Sequence, residues 1–224
     1  IFGSDGGVFH TTTANEYFPD FEETNQDYST LQFYSCDISP VVGEEKYSGG
    51  LQDNGSLLYQ GDDLDINDML SGGDGAYTFF DENEPEYLIT SVYYNRYYFY
   101  NGDNEINYIN TSSGTFVSPA DYNSYSNTLF ANACGFFGED PDEILRITGV
   151  PNSLGETYLE MNTGTEVPFT ALALSPEADG PGESTLYFGS ESGRLFRATG
   201  MQTSTPNVEE LTGDEFPVGA ISGI

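Results

Sequence analysis

Tryptophan is absent, histidine occurs once, and lysine and arginine together number five in 224 residues. Five basic side chains cannot form the stripe that neutralises phosphates, so nucleic acid is excluded as a partner. Anionic membrane surfaces are disfavoured for the same reason. One histidine, His10, and two cysteines, Cys36 and Cys134, are too few for the ligand set of a metal hydrolase. His10 sits beside a turn with no serine or cysteine pattern to activate, which argues against a catalytic triad. The two cysteines suit either a disulfide in an oxidising compartment or two small buried hydrophobes, and the second reading is favoured. No apolar run approaches the roughly 18 residues of a membrane helix, and no signal peptide is visible. Ile1-Phe2-Gly3-Ser4 reads as the middle of a strand, so the true start is expected to have been removed. Helical periodicity is also scarce, with Asp63 to Leu70 its only candidate.

Present instead are 37 acidic residues, a net charge of −32, 17 tyrosines, 16 phenylalanines and 26 glycines. So many aromatics argue against disorder. Self-repulsion among the carboxylates predicts a salty or divalent-rich working environment. Short aromatic and β-branched runs, broken by Gly, Asn, Asp and Pro, recur along the chain. Examples are residues 31–39, 46–51, 56–60, 76–81, 87–93, 96–100 and 105–110, then 128–133, 143–148, 157–161, 169–175, 185–189 and 194–198. Strands at this spacing belong to a sandwich, a barrel or a propeller.

An internal repeat discriminates among them. Phe2-Gly3-Ser4-Asp5 with Gly7 parallels Phe188-Gly189-Ser190-Glu191 with Gly193, each a strand, a tight turn and a returning strand. Lys46 to Tyr59 repeats the design with Asp53-Asn54-Gly55 at the turn. Asp5, Asp53, Asn54, Gly55, Glu191 and Gly193 are therefore assigned as structural turn residues, glycine supplying positive φ and the acid bonding turn amides. Apolar strands that end in a proline corner, as at Ser39-Pro40 and Ser175-Pro176, precede further glycine-bearing strands. Units of this length with three or four strands are propeller blades. The fold class is all-β, a β-propeller of about four-stranded blades. It is expected as an incomplete arc of roughly four to five: 1–30 partial, 31–74, 75–110, 111–165, 166–215 and 216–224 partial. Both ends are read as broken mid-blade, so further chain or partner subunits should complete the ring.

On Gln32-Phe33-Tyr34, Gly49-Gly50-Leu51-Gln52-Asp53-Asn54-Gly55 and Gly72-Gly73-Asp74-Gly75, the sequence resembles the sortilin-like and BNR Asp-box propellers, in their secreted Bacteroidetes-type version. The resemblance is weakest over 112–151, and the boxes lack the family's closing Trp. It implies a secreted or cell-surface location, turn motifs that lock structure and do not catalyse, and an interaction or adhesion scaffold. The alternative it leaves open is a glycan-active enzyme or glycan-binding module of the xyloglucanase-like type.

Two stretches are candidate sites. Asp63, Asp65 and Asn67 place oxygens at alternate positions, with Asp74 at the twelfth place of an EF-hand-like count, which suits Ca²⁺. The sixth place is Asp68 where a glycine is needed, so a solvated loop competes with this reading. The run Tyr93, Tyr94, Arg96, Tyr97, Tyr98 and Tyr100, with a turn at Asn95-Arg96, offers alternate rings either to inter-blade packing or to a sugar or protein partner. No pair among the 37 carboxylates is singled out for glycoside hydrolysis.

Overall fold

The fold was obtained as a computed structural model, which describes residues 1–4, 7–24, 31–61, 68–135, 138–175, 184–213, 216 and 218–224. Among them there is no helix, and the chain divides into two compact units, Ile1–Leu31 and Gln32–Ile224. The first unit holds a three-stranded antiparallel sheet of β1 (Phe2–Ser4), β2 (Gly7–His10) and β3 (Glu22–Glu23). Phe2 faces Phe9 across the hairpin and His10 lies opposite Glu22.

The second unit is four consecutive four-stranded antiparallel sheets, each paired in chain order. The first comprises β4 (Phe33–Ile38), β5 (Tyr47–Leu51), β6 (Gly55–Tyr59) and β7 (Asp68–Ser71). The next comprises β8 (Gly75–Phe80), β9 (Tyr87–Val92), β10 (Arg96–Asn101) and β11 (Asn104–Asn110). Then come β12 (Ala120–Asn123), β13 (Thr128–Asn132), β14 (Glu143–Thr148) and β15 (Gly155–Glu160), followed by β16 (Phe169–Leu174), β17 (Leu186–Ser190), β18 (Leu195–Thr199) and β19 (Asn207–Glu210). The helical turn expected over 63–70 is corrected at its end, because Asp68 to Ser71 pair with β6 as a strand.

Each sheet alternates side chains between its two faces, and neighbouring sheets bury those faces against one another. Tyr97, Phe99 and Ile89 of one sheet pack with Leu129, Leu145 and Ile147 of the next. Phe130, Ile144 and Leu159 of that sheet pack with Phe169, Phe188 and Phe196 of the last. Phe169 and Phe188 meet edge to face at 4.7 Å, a favoured aromatic geometry.

Close approach of successive sheets explains two of the glycines. A Cβ on Gly50 of β5 would overlap the backbone of Ala76 in β8, and one on Gly189 of β17 would overlap Ile221. The segment around Ile221 thus lies against the last sheet much as β8 lies against the first of the four. The Ile221 N–H donates to the Ser190 carbonyl at 3.2 Å, and Thr170 Oγ1 donates to the Ile221 carbonyl at 2.6 Å.

Candidate functional site

The first strand of each four-stranded sheet contributes to one cleft of about 400 Å³, bounded by Asp37, Tyr77, Phe79, Asp121, Tyr122 and Leu172. Asp37 and Asp121 are the only carboxylates within β4, β8, β12 and β16. Burial pushes both carboxyls above the usual range, and the charges of Asp37 and Glu82 add to the effect at Asp121. Their oxygens are nevertheless committed. Asp37 accepts the Ile38 and Phe80 amides at 2.8 and 2.7 Å, and Asp121 accepts those of Tyr122 and Leu174 at the same two distances. In each case the second amide belongs to the following sheet. The two acids act as clasps between sheets, each carboxylate oxygen accepting one backbone amide.

Glu143 is raised as well, by burial first and then by the charges of Asp140 and Glu160. A carboxyl whose folded pKa exceeds its unfolded value contributes stability that is present below the unfolded pKa and lost as pH rises through the folded one. Glu210 runs the other way, lowered by its bond to Arg194, but that pair is partly exposed and contributes under about 1 kcal/mol. The expected result is a melting temperature that falls as pH rises above about 4, the ordinary carboxyl value, at low ionic strength. Raising salt should flatten the slope by screening the net charge of −32. A melting temperature that climbs over this window would contradict the assignment.

A different surface forms at the end of the sheets where the second strand turns into the third. The turn between β9 and β10 is Tyr93-Tyr94-Asn95, with Tyr94 and Asn95 at φ of 58° and 51°. Tyr93 stacks on Phe116 at 5.6 Å, and Tyr94 meets Phe116 edge-on at 5.8 Å. The Tyr94 N–H donates to the Phe116 carbonyl at 3.3 Å. The Arg96 guanidinium stands 5.1 Å from the centre of the Tyr93 ring. Tyr94 and Phe116 remain 46% and 42% exposed, so the cluster presents aromatic surface that the other described residues leave uncovered. Beside it opens a cavity of about 310 Å³ bounded by Tyr94, Ser113, Gly114, Gly135, Glu139 and Asp140. Cys134 is buried next to it, its thiol pushed up to about 11 by burial and then by the charges of Glu139, Asp140, Glu191 and Asp142. Four carboxylates therefore surround this end.

Among solved structures, the β-propeller domain of Cps50 (Swd1) from Myceliophteria thermophila is 10% identical, with a TM-score of 0.59 over 87% of this chain. BBS1N, solved in complex with ARL6DN, is 11% identical, with a TM-score of 0.54 over 83%. The fold is a β-propeller. The chain spans 59% and 55% of the lengths of those two chains, in keeping with the expected partial arc of four-stranded blades. No family model and no curated protein matches the sequence.

The propeller places the sequence candidates as follows. Of the aromatic run, Tyr97 and Tyr100 are buried between blades at 1% and 2% exposure. Tyr97 OH donates to Asn95 Oδ1 at 3.0 Å, and Tyr100 OH donates to the Leu70 carbonyl at 2.8 Å, its pKa pushed up to about 12 by burial. Tyr98 is half-buried against Tyr108 at 5.0 Å. Only Tyr93, Tyr94 and Arg96 reach the blade-end cluster. The turn lies one residue earlier than expected, because Arg96 already pairs with Val92 as the first residue of β10.

Asp63, Asp65 and Asn67 lie outside the described residues. Asp74 accepts the Asp53 amide at 3.0 Å, tying the β5–β6 turn to the strand that enters the next blade. Among the described residues, no group of three or more His, Cys, Asp or Glu side chains is placed to hold a metal ion. Asp53 and Gly55 take φ of 59° and 66°, and Asn54 Nδ2 bonds the Gln52 carbonyl at 2.9 Å. Glu191 donates its N–H to the Pro168 carbonyl at 3.0 Å, Gly193 has φ of 84°, and Asp5 lies outside the described residues. Cys36 is exposed and Cys134 buried, both free, which corrects the reading of two buried thiols.

Three contributors to these surfaces were missed in the sequence. Phe116 falls in the stretch where the repeat is weakest, and its one signal is an aromatic two positions after Gly114 in a connecting loop. Asp37 and Asp121 are visible as single acids inside apolar or aromatic runs. Such isolated acids deserve a search for amide partners.

Proposed function

We propose that this chain is a non-catalytic protein-interaction scaffold that docks partners on the blade end carrying Tyr93, Tyr94 and Phe116. The observation that carries the reading is the exposed aromatic cluster, held in place by a backbone bond between the turn and the loop that bears Phe116. Large, pre-ordered rings are the side chains that dominate protein interfaces, since little entropy is lost when they are covered. BBS1N, a structural neighbour, was solved in a complex, and this likeness supports a scaffold role without assigning the same partner. A secreted or cell-surface location, and membership of the sortilin-like Asp-box group, belong to the same proposal; the turn motifs and the acidic surface support them.

The test is a photo-crosslinking residue at position 94 in the native host, with position 103, in the exposed β10–β11 turn at the opposite blade end, as reference. Position 94 should yield a small set of discrete protein adducts that position 103 does not. Equal labelling at both positions, or none at 94, overturns the docking surface.

A further inference from the structure

The seam between the first two four-stranded sheets is built differently from the other two. The seams on either side of β12–β15 each hold a cluster of ten buried residues, all hydrophobic, whereas this one holds four: Leu58, Phe80, Leu88 and Tyr100. Five hydroxyls share its face. Gly50 abuts β8, and Ser48 lies two positions before it on the same side of β5. Ser56 pairs with Gly50 and Ser71 pairs with Ser56, which puts both on that side. From the second sheet Phe80 meets Lys46, so Thr78 and its cross-strand partner Thr90 face the same seam. All five residues are buried, and none of their hydroxyls has a hydrogen-bond partner among the described residues. The Tyr100 hydroxyl beside Thr90 gives its own proton to the Leu70 carbonyl at 2.8 Å. Five of the seven buried side-chain polar atoms without a partner thus fall in one seam; the other two are the Nε atoms of Arg96 and Arg146.

We infer that this seam is a built-in opening point, at which the first sheet swings away from the second on the bonds between their inner strands. A buried hydroxyl without a partner has lost its hydration uncompensated and recovers it when the seam parts. The opposing apolar term is small, because parting uncovers a cluster of four residues and not of ten. At the inner strands the seam is held. Ser35 Oγ donates to the Ala76 carbonyl at 3.0 Å and accepts the Thr78 amide at 3.1 Å. Asp37 accepts the Phe80 amide, and Gly50 lies against the Ala76 backbone. These contacts form a pivot along β4 and β8, and the parting runs outward toward β6, β7 and β10. A Cβ on Gly73, in the link between the two sheets, would lie 3.3 Å from the Tyr93 ring, so the parting reaches the proposed docking turn.

Native-state thiol labelling tests the opening in the chain carrying Cys36→Ser and Cys134→Ala, so that one introduced thiol reports at a time. Ser56→Cys and Ser71→Cys place it in the seam, while Ala131→Cys and Ala198→Cys place it in the two apolar seams as references. With reagent dilute enough that the rate rises in proportion to it, each rate reads how often that seam is open. The seam thiols should react about tenfold faster than the references. Adding Ser48→Ala with Thr78→Val removes two of the unpartnered hydroxyls and should slow the seam thiols about tenfold while leaving the references unchanged. Circular dichroism identifies a thiol that disturbs the fold, and the other thiol of its pair then takes its place. One rate at all positions, as whole-chain unfolding would give, or faster labelling of the references, overturns the opening point. A seam rate that Ser48→Ala with Thr78→Val does not slow overturns it equally.

Discussion

Replacing Asn95 with alanine is expected to lower the unfolding free energy of the Gln32–Ile224 unit by about 3–4 kcal/mol. Asn95 is 1% exposed, and its side chain joins two blades. Nδ2 donates to the Asn132 carbonyl at 2.7 Å and to Ser113 Oγ at 3.2 Å, while Oδ1 accepts the buried Tyr97 hydroxyl at 3.0 Å. The link continues into the next blade, because Asn132 Nδ2 donates to the Cys134 carbonyl and Asn132 Oδ1 accepts the Phe169 amide. Alanine strands the Tyr97 hydroxyl and the Asn132 carbonyl away from water, at about 1–3 kcal/mol each. It must also adopt a φ of 51°, which costs an L-residue with a Cβ about 1 kcal/mol more. Glycine at 95 escapes the second term and not the first, so Asn95→Gly should fall about 1 kcal/mol short of Asn95→Ala. Aspartate should be worst, since it points an acceptor and a charge at the Asn132 carbonyl. Urea unfolding followed by tyrosine fluorescence, with an unchanged m-value, measures the series. Finding alanine as stable as asparagine would show that water or relaxation satisfies the stranded groups.

The same relay shows why the fold was more legible than the site. Strands β8, β9 and β10 fall on the aromatic runs at 76–81, 87–93 and 96–100, because alternation in a buried sheet is written directly in the chain. The repeat of Phe2-Gly3-Ser4 at Phe188-Gly189-Ser190 likewise reports a shared strand-and-turn design. Strands β7, β12 and β19 went unseen for a physical reason. Asp68–Ser71 and Asn207–Glu210 lie on outer edges with mixed, largely exposed side chains, and only four residues, Ala120–Asn123, make β12. Without a buried face there is no alternation to read. Asn95 looked like an ordinary turn residue; its role depends on Asn132, 37 positions on, and no local pattern encodes that pairing. Phe116 was hidden similarly, since its neighbours Tyr93 and Tyr94 come from another loop. The blade stack is set by local periodicity, whereas the docking end and the clasps are set by which turns the stack brings together.

That stack makes a second large effect predictable from backbone geometry alone. Gly50→Ala should cost about 3 kcal/mol or more, at the upper end of what overpacking does. The added methyl would overlap the carbonyl, carbon and nitrogen of Ala76, and these are backbone atoms of β8 that no rotamer change can move aside. Relief requires two blades to separate, which unpicks the bond from Ser35 Oγ to the Ala76 carbonyl at 3.0 Å. Gly189→Ala meets Ile221 in the corresponding place, but Ile221 belongs to an irregular segment beside the last blade and not to a strand. There the chain can yield by moving that segment, so the global loss should be smaller, about 1–2 kcal/mol. Hydrogen exchange should show Ile221 losing protection while Phe188 and Phe196 keep theirs. Gly72→Ala is the control, with nothing within 4 Å of the new methyl, and should stay within about 0.5 kcal/mol of wild type. An ordering in which Gly189→Ala is as damaging as Gly50→Ala would mean that the Ile221 segment is as firmly built into the stack as β8.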